Sequence, residues 1–176
     1  SSHDIEVTFT NANVSAEAGD YTIVSTTITI PANNTTYNIP VTINDDAIYE
    51  ADETFTLTLQ TASDGTVIGA TSVDTHTIQE NETKPSVNFA SGVGAAAENV
   101  TPHNVGLTLS NATEADVVVN YTVADGTAFS AQPDFTFSSG AITISAGSTI
   151  QTMQPVMNDD ALAEGNEDFT ITLSST

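Results

Sequence analysis

The chain has 176 residues, with 23 Asp plus Glu, one Lys plus Arg, and a formal net charge of −22. Without a Lys/Arg footprint it is a poor match for nucleic acid or for an anionic membrane surface, and it favours contact with cations. Cysteine is absent, which removes disulfides, thiolate metal sites and a Cys nucleophile, and no run of about 18 apolar residues is present to span a membrane.

Thr and other β-branched residues pervade the chain, and no window shows a sustained helical period, so the reading is all-β. In chain order, strands are expected at about 5–10, 21–30, 35–43, 54–60 and 70–79, then at 86–91, 104–110, 117–123, 135–144, 149–157 and 167–174. Residues 37–43 place Tyr37, Ile39, Val41 and Ile43 on one face. Residues 54–59 place Phe55, Leu57 and Leu59 inward, and Phe169, Ile171 and Leu173 repeat them. Strict alternation means one buried face and one wet face, as in a two-sheet antiparallel sandwich. Asp64-Gly65 marks a hairpin, and Asp125-Gly126 a tight turn.

An internal repeat organises these strands. Residues 20–62 align without gaps to 134–176, at an offset of 114, with 18 of 43 positions identical. Asn44-Asp45-Asp46-Ala47 matches Asn158-Asp159-Asp160-Ala161, and Glu50 and Glu53 match Glu164 and Glu167. The division is 4–82 for the first copy, 83–85 for a linker that includes Lys84 and Pro85, and 86–176 for the second. Copy 1 lacks its N-terminal strands and copy 2 its C-terminal strand. That points to a fragment of a longer array, with strand complementation between subunits of a filament as the other reading.

The chemistry lies in one loop of each copy. Residues 45–53 carry five carboxylates in nine positions, and residues 159–168 carry five in ten. Clustered carboxylates repel one another unless a cation compensates. Ca²⁺ fits an all-oxygen set, whereas Zn²⁺ calls for His or Cys. A solvated, solubilising turn is the bland alternative, and its weight falls because the same acids recur in both copies. The carboxylates are expected on a convex tip, which disfavours hydrolase chemistry. His76 and His103 read as packing or surface residues, Met153 and Met157 as core, and Gly92-Val93-Gly94-Ala95 as a flexible loop rather than a phosphate cradle.

The segments NDDAIYEADETFTLTL, VVVNYTVADGTA, PDFTFSSGAITISAGS and NDDALAEGNEDFTITLSS together resemble the Calx-beta domain. The resemblance implies tandem immunoglobulin-like antiparallel β-sandwiches, both incomplete here, and calcium bound at one tip of each. Carried over by position, it implies ligands Asp20, Asp45, Asp46, Glu50, Glu53, Glu80 and Glu82 in copy 1. In copy 2 it implies Glu98, Asp134, Asp159, Asp160, Glu164 and Glu167. Copy 1 has no counterpart of Glu98, and copy 2 none of the final acidic strand.

The implied function is a non-enzymatic, calcium-binding structural or adhesive repeat of an extracellular or cell-surface protein, with Ca²⁺ stiffening the acidic tips and the junction between repeats. Its partners are neighbouring repeats of the same protein or homo-polymeric filament contacts, without nucleic acid or membrane insertion. A regulatory calcium sensor and a saline-adapted surface without specific ions are the competing readings.

Overall fold

In the computed structural model, residues 1–130, 134–161 and 163–174 are described. Pro133 and Leu162 of the motifs above, and the last aligned pair Ser175 and Thr176, lie outside them. The described residues contain no helix, and therefore none long and apolar enough to cross a membrane. The fold is all-β, in two tandem units. Unit 1 comprises residues 1–46 and 51–81, and unit 2 comprises residues 47–50 and 82–176.

Unit 1 is built on β1 (Ile5–Asn13), β2 (Tyr21–Thr22), β3 (Thr27–Ile30), β4 (Thr42–Ile43), β5 (Glu53–Ala62) and β6 (Val73–Ile78). One antiparallel sheet has the order β3-β1-β5-β6, and β2 pairs with β4 in a second. The alternation of Ile5, Val7 and Phe9 along β1, and of Phe55 and Leu57 along β5, turns one face of this sheet inward. Phe9, Ala16, Tyr21, Phe55 and Leu57 form the core. The Tyr21 and Phe55 rings stack at 4.0 Å, and His76 stacks on Phe55 at 5.3 Å. The register of β1 on β5 shifts between Thr8 and Phe9, opposite Thr61 and Leu59, so Gln60 is the extra residue of a bulge. The hairpin at Asp64-Gly65 is a type I′ turn: both residues have positive φ (58° and 70°), and Thr66 N–H donates to Ser63 O at 3.1 Å.

Unit 2 contains β7 (Val87–Phe89), β8 (Val105–Leu109), β9 (Val117–Asp125), β10 (Phe135–Thr136), β11 (Gly140–Ile144), β12 (Ile150–Met153), β13 (Val156–Met157) and β14 (Phe169–Ser174). Its sheets are β11-β9-β14, β12-β8-β7 and the pair β10-β13. Leu109, Val119 and Ile144 form one buried cluster, and Leu107, Phe135 and Met153 are also buried.

The long expected strands break for local reasons. The 21–30 run divides at Ser25, whose hydroxyl accepts from Thr27 N–H and donates to Thr27 O. Ser139 Oγ accepts Val123 N–H at 2.8 Å where 135–144 divides. Pro155 has no N–H and separates β12 from β13. Of 35–43, only Thr42–Ile43 is strand, and Tyr37 and Ile43 are 46% and 49% exposed rather than inward. Phe169, Ile171 and Leu173 are only half-buried: among the described residues β14 pairs with β9 alone, at the edge of its sheet. Gly126 is not in the left-handed region, and β9 continues to Asp125 before a longer connection instead of a tight turn.

Candidate metal centre

In each repeat an Asp preceding a short strand is tied to the acidic loop by the same backbone bond. Asn44 N–H donates to Asp20 O at 2.8 Å, and Asn158 N–H donates to Asp134 O at 3.0 Å. These bonds continue the β2-β4 and β10-β13 pairings, so strand register brings the loop back to the Asp. The Asp side chain is oriented locally as well. Asp20 accepts from Glu17 N–H, and Asp134 accepts from Phe129 N–H at 2.7 Å.

Two groups of carboxylates result. Asp134, Glu164 and Glu167 each offer an oxygen, all within 4.8 Å of one another, and Asp20, Glu50 and Glu53 do the same. Glu53 opens β5 and is only 6% exposed. Burial of an acid beside other acids is unfavourable unless charge is compensated. Two oxygens on one ion at 2.3–2.6 Å are separated by no more than about 5 Å, so this spacing suits a shared calcium. Mg²⁺ at 2.0–2.1 Å would require the oxygens to close in. Neither trio contains a nitrogen or sulfur donor.

Electrostatics in unit 2 match this geometry. Partial desolvation, then the charges of Asp160, Asp134 and Glu98, hold Glu164 above the ordinary carboxylate pKa. Desolvation, then the charges of Asp134 and Glu164, a hydrogen bond with Asp134 and the charge of Glu98, raise Glu167. Glu98, Asp134, Glu164 and Glu167 line a cleft of about 780 Å³, together with Phe135 and Phe169. The acids of unit 2 thus border a concavity, not the convex tip expected from the sequence. The Phe135 and Phe169 rings stack at 4.3 Å beside them.

The other expected ligands are distributed around these trios. Glu98 lies on the cleft wall, and so does Asp159. Asp160 acts on Glu164 through its charge. Asp45 accepts from Asn81 Nδ2 at 2.9 Å. Asp46 is exposed, and neither it nor Glu80 nor Glu82 belongs to a trio. Glu80 N–H instead donates to Asp52 Oδ1 at 3.0 Å.

Two acids have structural roles that sequence reasoning did not assign. Asp52 is that acceptor, and Asp168 accepts from Thr127 Oγ1 at 2.7 Å and from Thr127 N–H at 3.3 Å. These bonds, side chain first, hold Asp168 below the ordinary aspartate pKa. Asp168 aligns with Thr54 and Asp52 with Asn166, so the repeat carried no signal for either.

A model of the Calx-beta domain matches residues 2–82 and again 80–176. The chain belongs to the Calx-beta family. It is 29% identical over 165 residues to the adhesion G-protein coupled receptor V1 of Danio rerio, a match that covers 90% of this chain and 3% of that receptor. The crystal structure of CBD12 from CALX1.2 is similar at a TM-score of 0.47 and 18% identity, over 98% of this chain and 68% of that one. Calcium binding domain CBD12 of CALX1.1 gives 0.44 and 17%, over 98% and 67%. The chain thus spans a small part of the receptor it matches and about two thirds of these structures.

Proposed function

We propose that the chain is a non-enzymatic Calx-beta module that binds Ca²⁺ through Asp20, Glu50 and Glu53 and through Asp134, Glu164 and Glu167. Its role is structural or adhesive, within an extracellular or cell-surface protein. The observation that carries the reading is the convergence of the same Asp-Glu-Glu positions in both repeats to within 4.8 Å. Calcium removes the repulsion within each trio and fixes the acidic loop against the strand that carries the Asp. The likeness to an adhesion receptor supports the cell-surface setting, and membership of a calcium-binding-module family supports the absence of catalysis.

Calorimetric titration of chelator-treated protein tests the reading. The expected result is saturable binding with a dissociation constant of about 10⁻⁴–10⁻³ M, the range of extracellular modules. Binding is halved in stoichiometry by Glu167→Gln and abolished by Glu53→Gln combined with Glu167→Gln. Absence of saturable heat up to about 10 mM Ca²⁺ refutes it. Micromolar affinity with a large change in hydrodynamic radius selects the sensor role instead.

A further inference from the structure

Beside its acids, each repeat carries a recurring pair of neutral residues. Ser15-Ala16 of the first repeat stands where Thr127-Ala128 stands in the second, continuing without gaps the match of Val7-Thr8-Phe9-Thr10 with Val119-Asn120-Tyr121-Thr122. In both repeats the hydroxyl reaches the residue that follows the second Glu of the trio. Thr54 N–H donates to Ser15 Oγ at 2.8 Å, and Asp168 N–H donates to Thr127 Oγ1 at 2.9 Å. The carbonyl of that same residue accepts from the alanine: Ala16 N–H donates to Thr54 O at 3.1 Å, and Ala128 N–H to Asp168 O at 3.0 Å. The residue after the alanine completes the path. Glu17 N–H donates to the Asp20 carboxylate, and Phe129 N–H to the Asp134 carboxylate at 2.7 Å.

Two ligands of each trio are therefore joined by a short hydrogen-bonded path. It runs from Glu53-Thr54 through Ser15-Ala16-Glu17 to Asp20, and from Glu167-Asp168 through Thr127-Ala128-Phe129 to Asp134. The path is anchored from below. Ala16 and Ala128 are 3% and 6% exposed, and Ala16 packs with Phe9, Tyr21, Phe55 and Leu57, so a close-packed interior resists any sliding of the segment. The hydroxyl works in both directions, as only a hydroxyl of this size can. Thr127 Oγ1 accepts from Asp168 N–H and donates to Asp168 Oδ1 at 2.7 Å, and Ser15 Oγ lies 3.4 Å from Thr54 Oγ1 as well. Metal-free carboxylates repel one another and spread unless they are held. The path opposes that spreading, which leaves less rearrangement for binding to drive.

We propose that Ser15 and Thr127 are positioning residues for the two calcium sites, their hydroxyls holding one Glu and the Asp of each trio at ion-binding separation before the metal arrives. The inference rests on the calcium reading of the trios. Neither hydroxyl belongs to a trio; each acts through the backbone that carries the ligands. Groups that orient metal ligands in this way contribute about 10–100-fold in affinity. Ser serves in one repeat and Thr in the other because only the oxygen is used, and the methyl group of Thr127 is dispensable.

The test uses the full chain carrying Glu53→Gln, in which only the second site remains, with Thr127→Val or Thr127→Ser added. Thr127→Val keeps the shape and removes the hydroxyl, and calorimetric titration should give a calcium affinity weaker by about tenfold or more. Thr127→Ser should restore it. In the metal-free protein, amide exchange at Phe129 and Asp168 should quicken about tenfold with Thr127→Val and stay unchanged with Thr127→Ser. Ser15→Ala in a chain carrying Glu167→Gln should do the same for the first site, with the exchange read at Glu17 and Thr54, and it decides the matter if Thr127→Val does not fold. A lower melting temperature with unchanged affinity overturns the proposal, because the hydroxyl then only stabilises the fold. Unchanged amide exchange in the metal-free protein overturns it too. A wild-type chain without saturable calcium heat refutes the calcium reading itself, and the positioning role falls with it.

Discussion

Calcium added to metal-free protein should raise its melting temperature, and the size of the effect follows from the trios. Each brings three carboxylate oxygens within 4.8 Å of one another, so an ion at 2.3–2.6 Å from each is reached with little rearrangement of the folded loop. The unfolded chain holds no such arrangement, because Asp134 and Glu164 lie 30 positions apart in the chain, and binding therefore favours the native state. With a dissociation constant of about 10⁻⁴ M, 10 mM Ca²⁺ is about 100-fold in excess and contributes about 2.7 kcal/mol per site. For a unit of this size, that is a rise of about 10–20 °C in melting temperature. Differential scanning calorimetry should compare CaCl₂, MgCl₂ and NaCl at matched ionic strength. Glu167→Gln should remove the calcium response of the second repeat and leave that of the first. Equal shifts with Na⁺, Mg²⁺ and Ca²⁺ refute coordination and select general screening of a highly acidic chain.

The pH dependence should change sign with metal. Glu164 and Glu167 have raised pKa values, so protonation favours the folded state, and their stabilising effect, complete below the ordinary value, is lost as pH rises through the raised ones. Asp168, with its lowered pKa, opposes this, since its contribution is present above the ordinary aspartate value and lost as pH falls through the lowered one. In a thermal scan from about pH 7 to about pH 4, metal-free unit 2 gains stability across the glutamate range, whereas saturating Ca²⁺ reverses the slope, because protons compete with the ion. Phe55→Ala empties a fully packed site, where the ring is 2% exposed and stacked on Tyr21, and should cost about 3–5 kcal/mol in denaturant unfolding. Phe169→Ala, at the half-buried counterpart, should cost clearly less. Gly126→Ala places a Cβ 2.5 Å from Asp168 O and should cost about 1–3 kcal/mol, seen as a lower urea midpoint for unit 2.

Much of the strand framework was legible because alternation is local. Ile5, Val7 and Phe9, or Phe55 and Leu57, declare their inner face within one strand, and tertiary contacts then bury what the pattern offers. The Asp64-Gly65 turn was legible for the same reason, since positive φ at two successive residues restricts the residue types. The repeat added the next level. By showing that Asp20, Glu50 and Glu53 recur as Asp134, Glu164 and Glu167, it singled out acids whose charge alone did not distinguish them among 23.

Other features depended on neighbours that no local pattern encodes. Residues 37–43 alternate as well as any strand in the chain, yet Tyr37 and Ile43 stay exposed, and among the described residues only Thr42 and Ile43 of this run pair with another strand. Asp45 belongs to the same acidic loop as Glu50 and Glu53 but engages Asn81, and Asp52 of that loop accepts from Glu80 N–H. Only β2-β4 and β10-β13 pairing decides which carboxylates meet. The excess of acid over base was written in the sequence from the start, and so was its concentration in two loops. Which three acids of each loop and strand face one another within ion-binding distance was decided by register, since hydrogen bonds between strands set distances across 30 residues that composition and spacing leave open.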